Sequence, residues 1–292
     1  MKNKVLKLLA VAILFLALIG FDFYQHQPGS VQGVFQPDTA TILKLNFFDI
    51  GQGDSALITT PSGKKILVDG GPNRLVVNKL DENLSLIDRH LDYVLLTHPH
   101  ADHVAGLTEV LRLYDIGQVI MTGAIHTAPD YLDFLNLIKE KSIPALIIES
   151  PQELEVDGTT LKFLAPLKSF SNQRLENLNN SSIVFKLVYG SSTALFTGDY
   201  EQEEQLLKNS TDLSSQILKV GHHGSTNAND EAFLQAVRPQ YAVISVGKNN
   251  SFGHPHYRTI YYLKQLGAEI LRTDESGDVS FNCNLAGCQK AD

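Results

Sequence analysis

The segment His98-Pro99-His100-Ala101-Asp102-His103 constrains this chain more than any other feature. It follows Tyr93–Thr97, a continuous apolar run of the kind found in strands buried on both faces. On an extended chain, His98 and His100 project the same way. Asp102 and His103 fall where the chain turns into a helix, read from the apolar spacing of Leu107 to Tyr114. Three imidazoles and a carboxylate on one short segment suit zinc or a similar divalent ion. Leaving the backbone in different directions, they can serve two neighbouring ions.

Seven of the ten histidines fall in three groups, each after a predicted strand: His98, His100 and His103; His222 and His223; His254 and His256. Strand ends are where side chains from distant segments converge. Asp199 ends the apolar run Ala194–Thr197 through Gly198. It reads locally either as a carboxylate bridging two cations or as a helix N-cap before Glu201. In Lys219-Val220-Gly221-His222-His223-Gly224-Ser225 the flanking glycines permit unusual backbone angles. One imidazole is expected to be a ligand and the other to hydrogen-bond substrate or a ligand, without saying which. His254, in Phe252-Gly253-His254-Pro255-His256, is the fourth candidate, His256 an outer one, and His126 a rim residue at most. His26 and His90 receive no role.

Around these groups the chain alternates short β-rich runs with amphipathic helices. Strands are expected near 42–50, 55–60, 65–68, 93–97, 118–121, 145–148, 160–165, 183–189, 193–197, 216–220, 241–246, 269–272 and 278–281. Helices are expected over 107–114, 131–141, 201–208, 230–237 and 257–266. This mixture implies an α/β class with sheets covered by helices. Lys168 to Ser182 reads as a long loop, and residues 41–292 as one domain.

The first 21 residues read differently. Lys2, Lys4 and Lys7 precede an uncharged run from Leu8 to Phe21, the layout of a signal peptide or an N-terminal membrane anchor. No small-x-small cleavage site decides between them. Residues 22–40, rich in Gln, Pro, Gly and Ser, read as a linker. The implied location is extracytoplasmic, either secreted or held at the membrane. Cys283 and Cys288 fit an oxidising compartment, as a tail staple or as two unpaired thiols. The net charge of -8 argues against a molecule-wide polyphosphate-binding surface but leaves room for a local basic groove.

The ordered set of motifs resembles the metallo-β-lactamase superfamily. Thr97 to His103 matches its HxHxDH signature, and Phe48 to Ser55 and Leu67 to Gly71 resemble two further motifs of the ComEC-like competence branch. The resemblance covers about Thr41 to Phe281 and implies a four-layer αββα sandwich with metals at one edge. It implies His98 and His100 on one ion, Asp102 and His103 on the other, and Asp199 between them. His222 or His223 would complete the first shell and His254 the second. Asp69 would orient a ligating histidine, with Asp54 another carboxylate behind the ligands. Many members carry a ligand histidine before the bridging aspartate; here Asn179-Asn180-Ser181-Ser182 holds that place. The departure implies a weaker or different first site, with manganese as well as zinc in view.

Two divalent ions sharing a hydroxide favour attack on phosphodiesters, whose transition state gathers negative charge. The first expectation is therefore a phosphodiesterase or nuclease, with Asp102, His222 and His223 nearest the chemistry. Lys248, Arg258 or Arg272 would bind the phosphate. A carbon ester, thioester or lactam is the second expectation. A non-catalytic, membrane-tethered DNA-binding or accessory domain is the third. No protein partner is implied.

Overall fold

The computed structural model describes residues 41–291 except 86 and 211. The expected anchor or signal at 1–21 and the linker at 22–40 lie outside the described residues.

The first sheet opens with three antiparallel strands, β1 (Leu43–Phe47), β2 (Ala56–Thr59) and β3 (Lys65–Val68). It continues through parallel strands β4 (His90–Leu95), β5 (Asp115–Met121) and β6 (Ala145–Ile147). The second sheet repeats the scheme. β7 (Gln152–Val156), β8 (Thr159–Ala165), β9 (Val184–Tyr189) and β10 (Ser192–Phe196) are antiparallel. β11 (Ile217–Lys219), β12 (Tyr241–Ile244) and β13 (Glu269–Arg272) follow in parallel. The chain then returns to the first sheet as β14 (Val279–Asn284) and β15 (Gly287–Lys290), in the order β15-β14-β1-β2-β3-β4-β5-β6. Parallel neighbours need crossovers, and helices supply them. These are α1 (Leu75–Asn83), α2 (Ala101–Leu113) and α3 (Pro129–Glu140) on the first sheet. On the second they are α4 (Glu203–Asn209), α5 (Glu231–Val237) and α6 (Tyr257–Gln265), while the short α7 (Thr273–Ser276) leads the chain back to the first sheet.

Three apolar clusters separate four layers. Leu45, Phe47 and Ile66 from one sheet meet Phe163, Phe185 and Phe196 from the other in the central one. Leu67 and Val94 pack outward on Val104, Leu107 and Phe134, and Leu195 and Leu218 on Phe233 and Leu234. Helices therefore cover both outer faces, and the architecture is the expected αββα sandwich. The run Tyr93–Thr97 is hydrophobic throughout because β4 lies between the central core and α2.

Cys283 and Cys288 form a disulfide across β14 and β15, realising the staple. The hairpin extends the fold beyond Phe281, the last strand position expected. β7 and α1 were also not foreseen. Gln152–Val156 is a polar edge strand, and α1 follows a Gly-Gly-Pro turn that masks the spacing of Val76, Val77 and Leu80. Among the described residues, no helix is long and apolar enough to cross a membrane.

Candidate metal centre

Strand ends and the loops after them deliver the side chains foreseen from sequence. α2 begins directly after His100, so Asp102 and His103 leave its first turn. Its close approach to the end of β3 requires glycine, because a Cβ on Gly106 would lie 1.9 Å from the Gly70 carbonyl oxygen. That packing sets Asp69 beneath the histidines, in a left-handed conformation with φ of 55°.

Asp69 is fully buried and accepts three bonds. The Thr97 N–H donates to Oδ1 at 2.8 Å, and the Thr97 hydroxyl and His103 Nδ1 reach Oδ2 at 2.7 and 2.8 Å. Burial pushes this carboxyl above its ordinary range despite the opposing pull of His103. With Nδ1 engaged, His103 turns Nε2 inward, where it is buried without a hydrogen-bond partner, 3.4 Å from Asp199 Oδ2. An orienting carboxylate behind an inward-facing imidazole is what metal ligation requires.

Asp199 is the centre of the arrangement. Its Oδ2 lies 3.4 Å from His103 Nε2, 3.7 Å from His223 Nε2, 3.8 Å from His222 Nε2 and 3.9 Å from His98 Nε2. Its Oδ1 is buried with no partner. Burial pushes the carboxyl up, but His103, His223 and His98 hold it well below the usual carboxylate range. The helix-cap alternative fails, since α4 starts at Glu203 with Gln202 as its cap.

The Gly221–Gly224 turn supplies the third arm. His222 and His223 are both left-handed, with φ of 47° and 54°, a conformation that costs on the order of 1–2 kcal/mol per residue. Asn229 holds the turn. It accepts the Gly221 N–H at 3.0 Å and donates to the Gly221 and Ser225 carbonyls at 2.9 and 3.3 Å. Glu203 in turn accepts the N–H groups of Asn229 and Asp230, both at 2.7 Å. Burial pushes the Glu203 carboxyl up to about 8 against the pull of those two bonds.

The two histidines face different ways. His223 Nδ1 donates to the Ser245 carbonyl at 2.9 Å, which turns Nε2 to Asp102 Oδ2 at 3.2 Å. Asp54 sits behind it, 3.3 Å from Nδ1, and pairs with the buried Lys219. Burial raises the Asp54 carboxyl, but Lys219 and then His223 bring it below its ordinary value. His222 Nδ1 instead meets Glu201 Oε1 at 3.0 Å. Glu201 also receives the side-chain amides of Asn177 and Asn179 at 2.6 and 2.9 Å.

Asp102, His103, Asp199 and His223 each offer a ligand atom within 4.8 Å of the others. The donor set, nitrogen and carboxylate oxygen with two inward atoms lacking partners, fits a divalent ion. The resemblance set His222 or His223 beside His98 and His100; the geometry groups His223 with Asp102 and His103, which leaves His222 for that role. His98 and His100 touch each other, Nε2 to Nδ1, at 3.0 Å. Burial and then the charge of His103 push His98 well below its ordinary value, leaving it neutral and able to ligate. His254 stands outside the tight group, its ring 5.5 Å from that of His222 and 6.3 Å from that of His223. Burial and the two neighbouring histidines push it down to about 4.

Of the other candidates, His126 bonds the Pro99 carbonyl at 3.1 Å and sits beside His100, at the rim. His256 caps α6. Arg272 is engaged by Asp274 and Glu275, both at 2.7 Å, which removes it as a phosphate ligand. Sequence reasoning missed Glu201, Glu203, Lys219 and Asn229 as functional residues. A lysine inside an apolar strand was the one available signal, since buried lysines are almost always paired.

A family model for the metallo-β-lactamase superfamily matches residues 48–248. The chain belongs to the metallo-β-lactamase superfamily. Within it, the chain is 26% identical over 257 residues to ComE operon protein 3 of Bacillus subtilis, covering 82% of this chain and 33% of that protein. It is 31% identical over 247 residues to competence protein ComA of Neisseria gonorrhoeae, covering 83% and 33%. The chain thus spans about a third of these competence proteins. Among solved structures, the Bacillus subtilis metallo-β-lactamase fold protein YhfI superposes with a TM-score of 0.54 at 13% identity, covering 82% of this chain and 99% of that one. A diphosphatase of the PhnP family gives 0.51 at 15% identity, covering 84% and 100%. Fold, signature and donor cluster together make this metallo-β-lactamase-fold chain a metal-dependent hydrolase.

Proposed function

We propose that the chain is a phosphodiesterase, acting on nucleic acid or a similar phosphodiester with two divalent ions, zinc or manganese. The observation that carries this is Asp199 Oδ2, set among four imidazole nitrogens within 4 Å. His98, His100 and Asp199 would hold one ion. Asp102, His103, His223 and the shared Asp199 would hold the other. Bound there, the ions supply Lewis-acid activation of water and of the phosphoryl group.

The protein's own groups do the rest. Asp69 and the Ser245 carbonyl engage Nδ1 of His103 and His223, which points both Nε2 atoms inward, where they would meet an ion. Glu201 anchors His222 through Nδ1, which leaves Nε2 facing Asp199 Oδ2 at 3.8 Å. Two carboxylates, Asp102 and Asp199, offset only part of a dinuclear charge, so the centre favours an anionic transition state. The PhnP-family diphosphatase shares the fold and is consistent with phosphoryl chemistry. The proposal is a hydrolytic activity and does not extend to an uptake channel. It includes export or anchoring by residues 1–21, which the Cys283–Cys288 disulfide favours.

The test compares bis(p-nitrophenyl) phosphate, single-stranded DNA and a chromogenic lactam across zinc, manganese and magnesium, with and without chelator. Phosphodiester cleavage that chelation abolishes and metal restores is expected. Cleavage of the lactam alone overturns the reading.

A further inference from the structure

The rim beside the centre carries a surface that the hydrolytic site does not use. The loop after β12 leads through Phe252 and His254 into α6, and the start of α6 is bolted to the histidine turn. The His256 N–H donates to the Gly224 carbonyl at 2.9 Å, and the Thr259 hydroxyl donates to the same oxygen at 3.0 Å. Whatever binds over His222 therefore meets this loop and helix next.

The side chains presented there are unusual for an exposed surface. Phe252 is 67% exposed, Tyr257 79% and Tyr261 56%. Phe252 stacks on His254 with ring centroids 5.8 Å apart, and His256 and Tyr257 lie 4.5 Å apart. Tyr257 and Tyr261 are four residues apart and share one helix face. Arg258 lies over the Tyr262 ring at 5.4 Å. In a chain of net charge -8, no carboxylate occurs between Glu231 and Glu269, while Arg238, Lys248, Arg258 and Lys264 do. Asp230 sets its carboxylate charge against Arg258. Exposed rings interleaved with cations, on a stretch of chain without acids of its own, match a surface that stacks bases and tracks a phosphate backbone.

We infer that Phe252, Tyr257 and Tyr261, with Lys248 and Arg258, form a stacking platform. It holds the bases of a single-stranded nucleic acid whose backbone enters the metal centre. The inference rests on the phosphodiesterase reading and adds the surface that selects a strand over a small diester. It commits to nucleic acid over a membrane because Phe252 stacks on His254, whose ring lies 5.5 Å from that of His222 at the metal centre.

The test uses the full chain with Tyr257→Ala/Tyr261→Ala and, separately, Phe252→Leu. For the double variant, KM on a thymidylate strand of about 12 nucleotides should rise roughly tenfold or more, with kcat/KM on bis(p-nitrophenyl) phosphate unchanged. Phe252→Leu, which keeps the bulk beside His254, should raise strand KM less. Wild-type preference for that strand over a base-free strand of equal length should vanish in the double variant. Fluorescence anisotropy with the labelled strand reads the platform independently of turnover. Binding lost in the double variant supports the platform even if no diester is cleaved, a result that would sink only the phosphodiesterase reading. Unchanged strand KM and unchanged anisotropy overturn the inference. So does a double variant that keeps strand affinity and loses binding to phosphatidylglycerol vesicles.

Discussion

The two histidine-bearing arms of the centre are built in opposite ways. The arm from His98 to His103 is regular structure throughout, a buried strand, a short turn and the first turn of a helix, with Asp69 beneath it. The arm at Gly221–Gly224 is a strained turn whose two histidines occupy left-handed backbone, held by Asn229 and Glu203 from outside. The first arm owes its geometry to local propensity and core packing. The second owes it to a chain of buried hydrogen bonds, and losing any of them releases stored strain. One arm is therefore a fixed platform, and the other is adjustable through residues that never touch substrate.

Asp199 joins the two arms, and removing it should have the largest effect. Asp199→Ala is expected to lower turnover on the order of 10³-fold and to reduce bound metal measured by elemental analysis. Turnover unchanged within a few-fold would dissolve the link between the arms. Next comes Lys219→Ala, which leaves the buried Asp54 carboxylate unpaired behind His223. A loss of about 3–5 kcal/mol in denaturant unfolding is expected. The double variant with Asp54→Asn should recover much of it.

Asn229→Ala tests the strained arm alone. Metal affinity should fall about 10–100-fold by competition with a chelating dye, while the His98–His103 arm keeps its packing. Asp69→Asn applies the same test to the regular arm, and similar losses would show both arms are needed equally.

Glu203 gives a pH signature. Its folded value of about 8 lies above the ordinary 4.5. The folded chain therefore keeps a proton that the unfolded chain loses in between. Stability should fall as pH rises through that window, by up to about 1.4 kcal/mol per pH unit, and level off above it. Glu203→Gln should flatten this slope, seen in melts at several pH values. The smallest effect is expected from His222→Gly, which relieves one left-handed residue. A gain of about 1 kcal/mol in stability should accompany impaired turnover.

Legibility in the sequence follows the same division. His98 to His103 stood out because ligand spacing, buried strand and helix start are contiguous, so period and chemistry reinforce each other. Sheets covered by helices were legible because most crossovers announce themselves as amphipathic runs between apolar ones, α1 excepted, while the four layers came from the family resemblance. His222 and His223 were visible as candidates but not separable, since their roles are decided by Ser245 and Glu201, remote carbonyl and carboxylate partners. Asn229 and Glu203 gave no signal: a loop asparagine and a helix-start glutamate are ordinary until the fold buries them together. His254 was visible through its motif, and the fold sets its ring beside His222 and buries its Nδ1 without a partner.

The placement of β14 has a further consequence. Lying between β1 and β15, it pairs Leu43 with Cys283 and Phe47 with Val279. The first strand of the domain thus waits for nearly the last, and during vectorial synthesis the edge of β1 stays open until that hairpin emerges. The seam closes late, and the covalent bond between Cys283 and Cys288 then ties the hairpin that closes it.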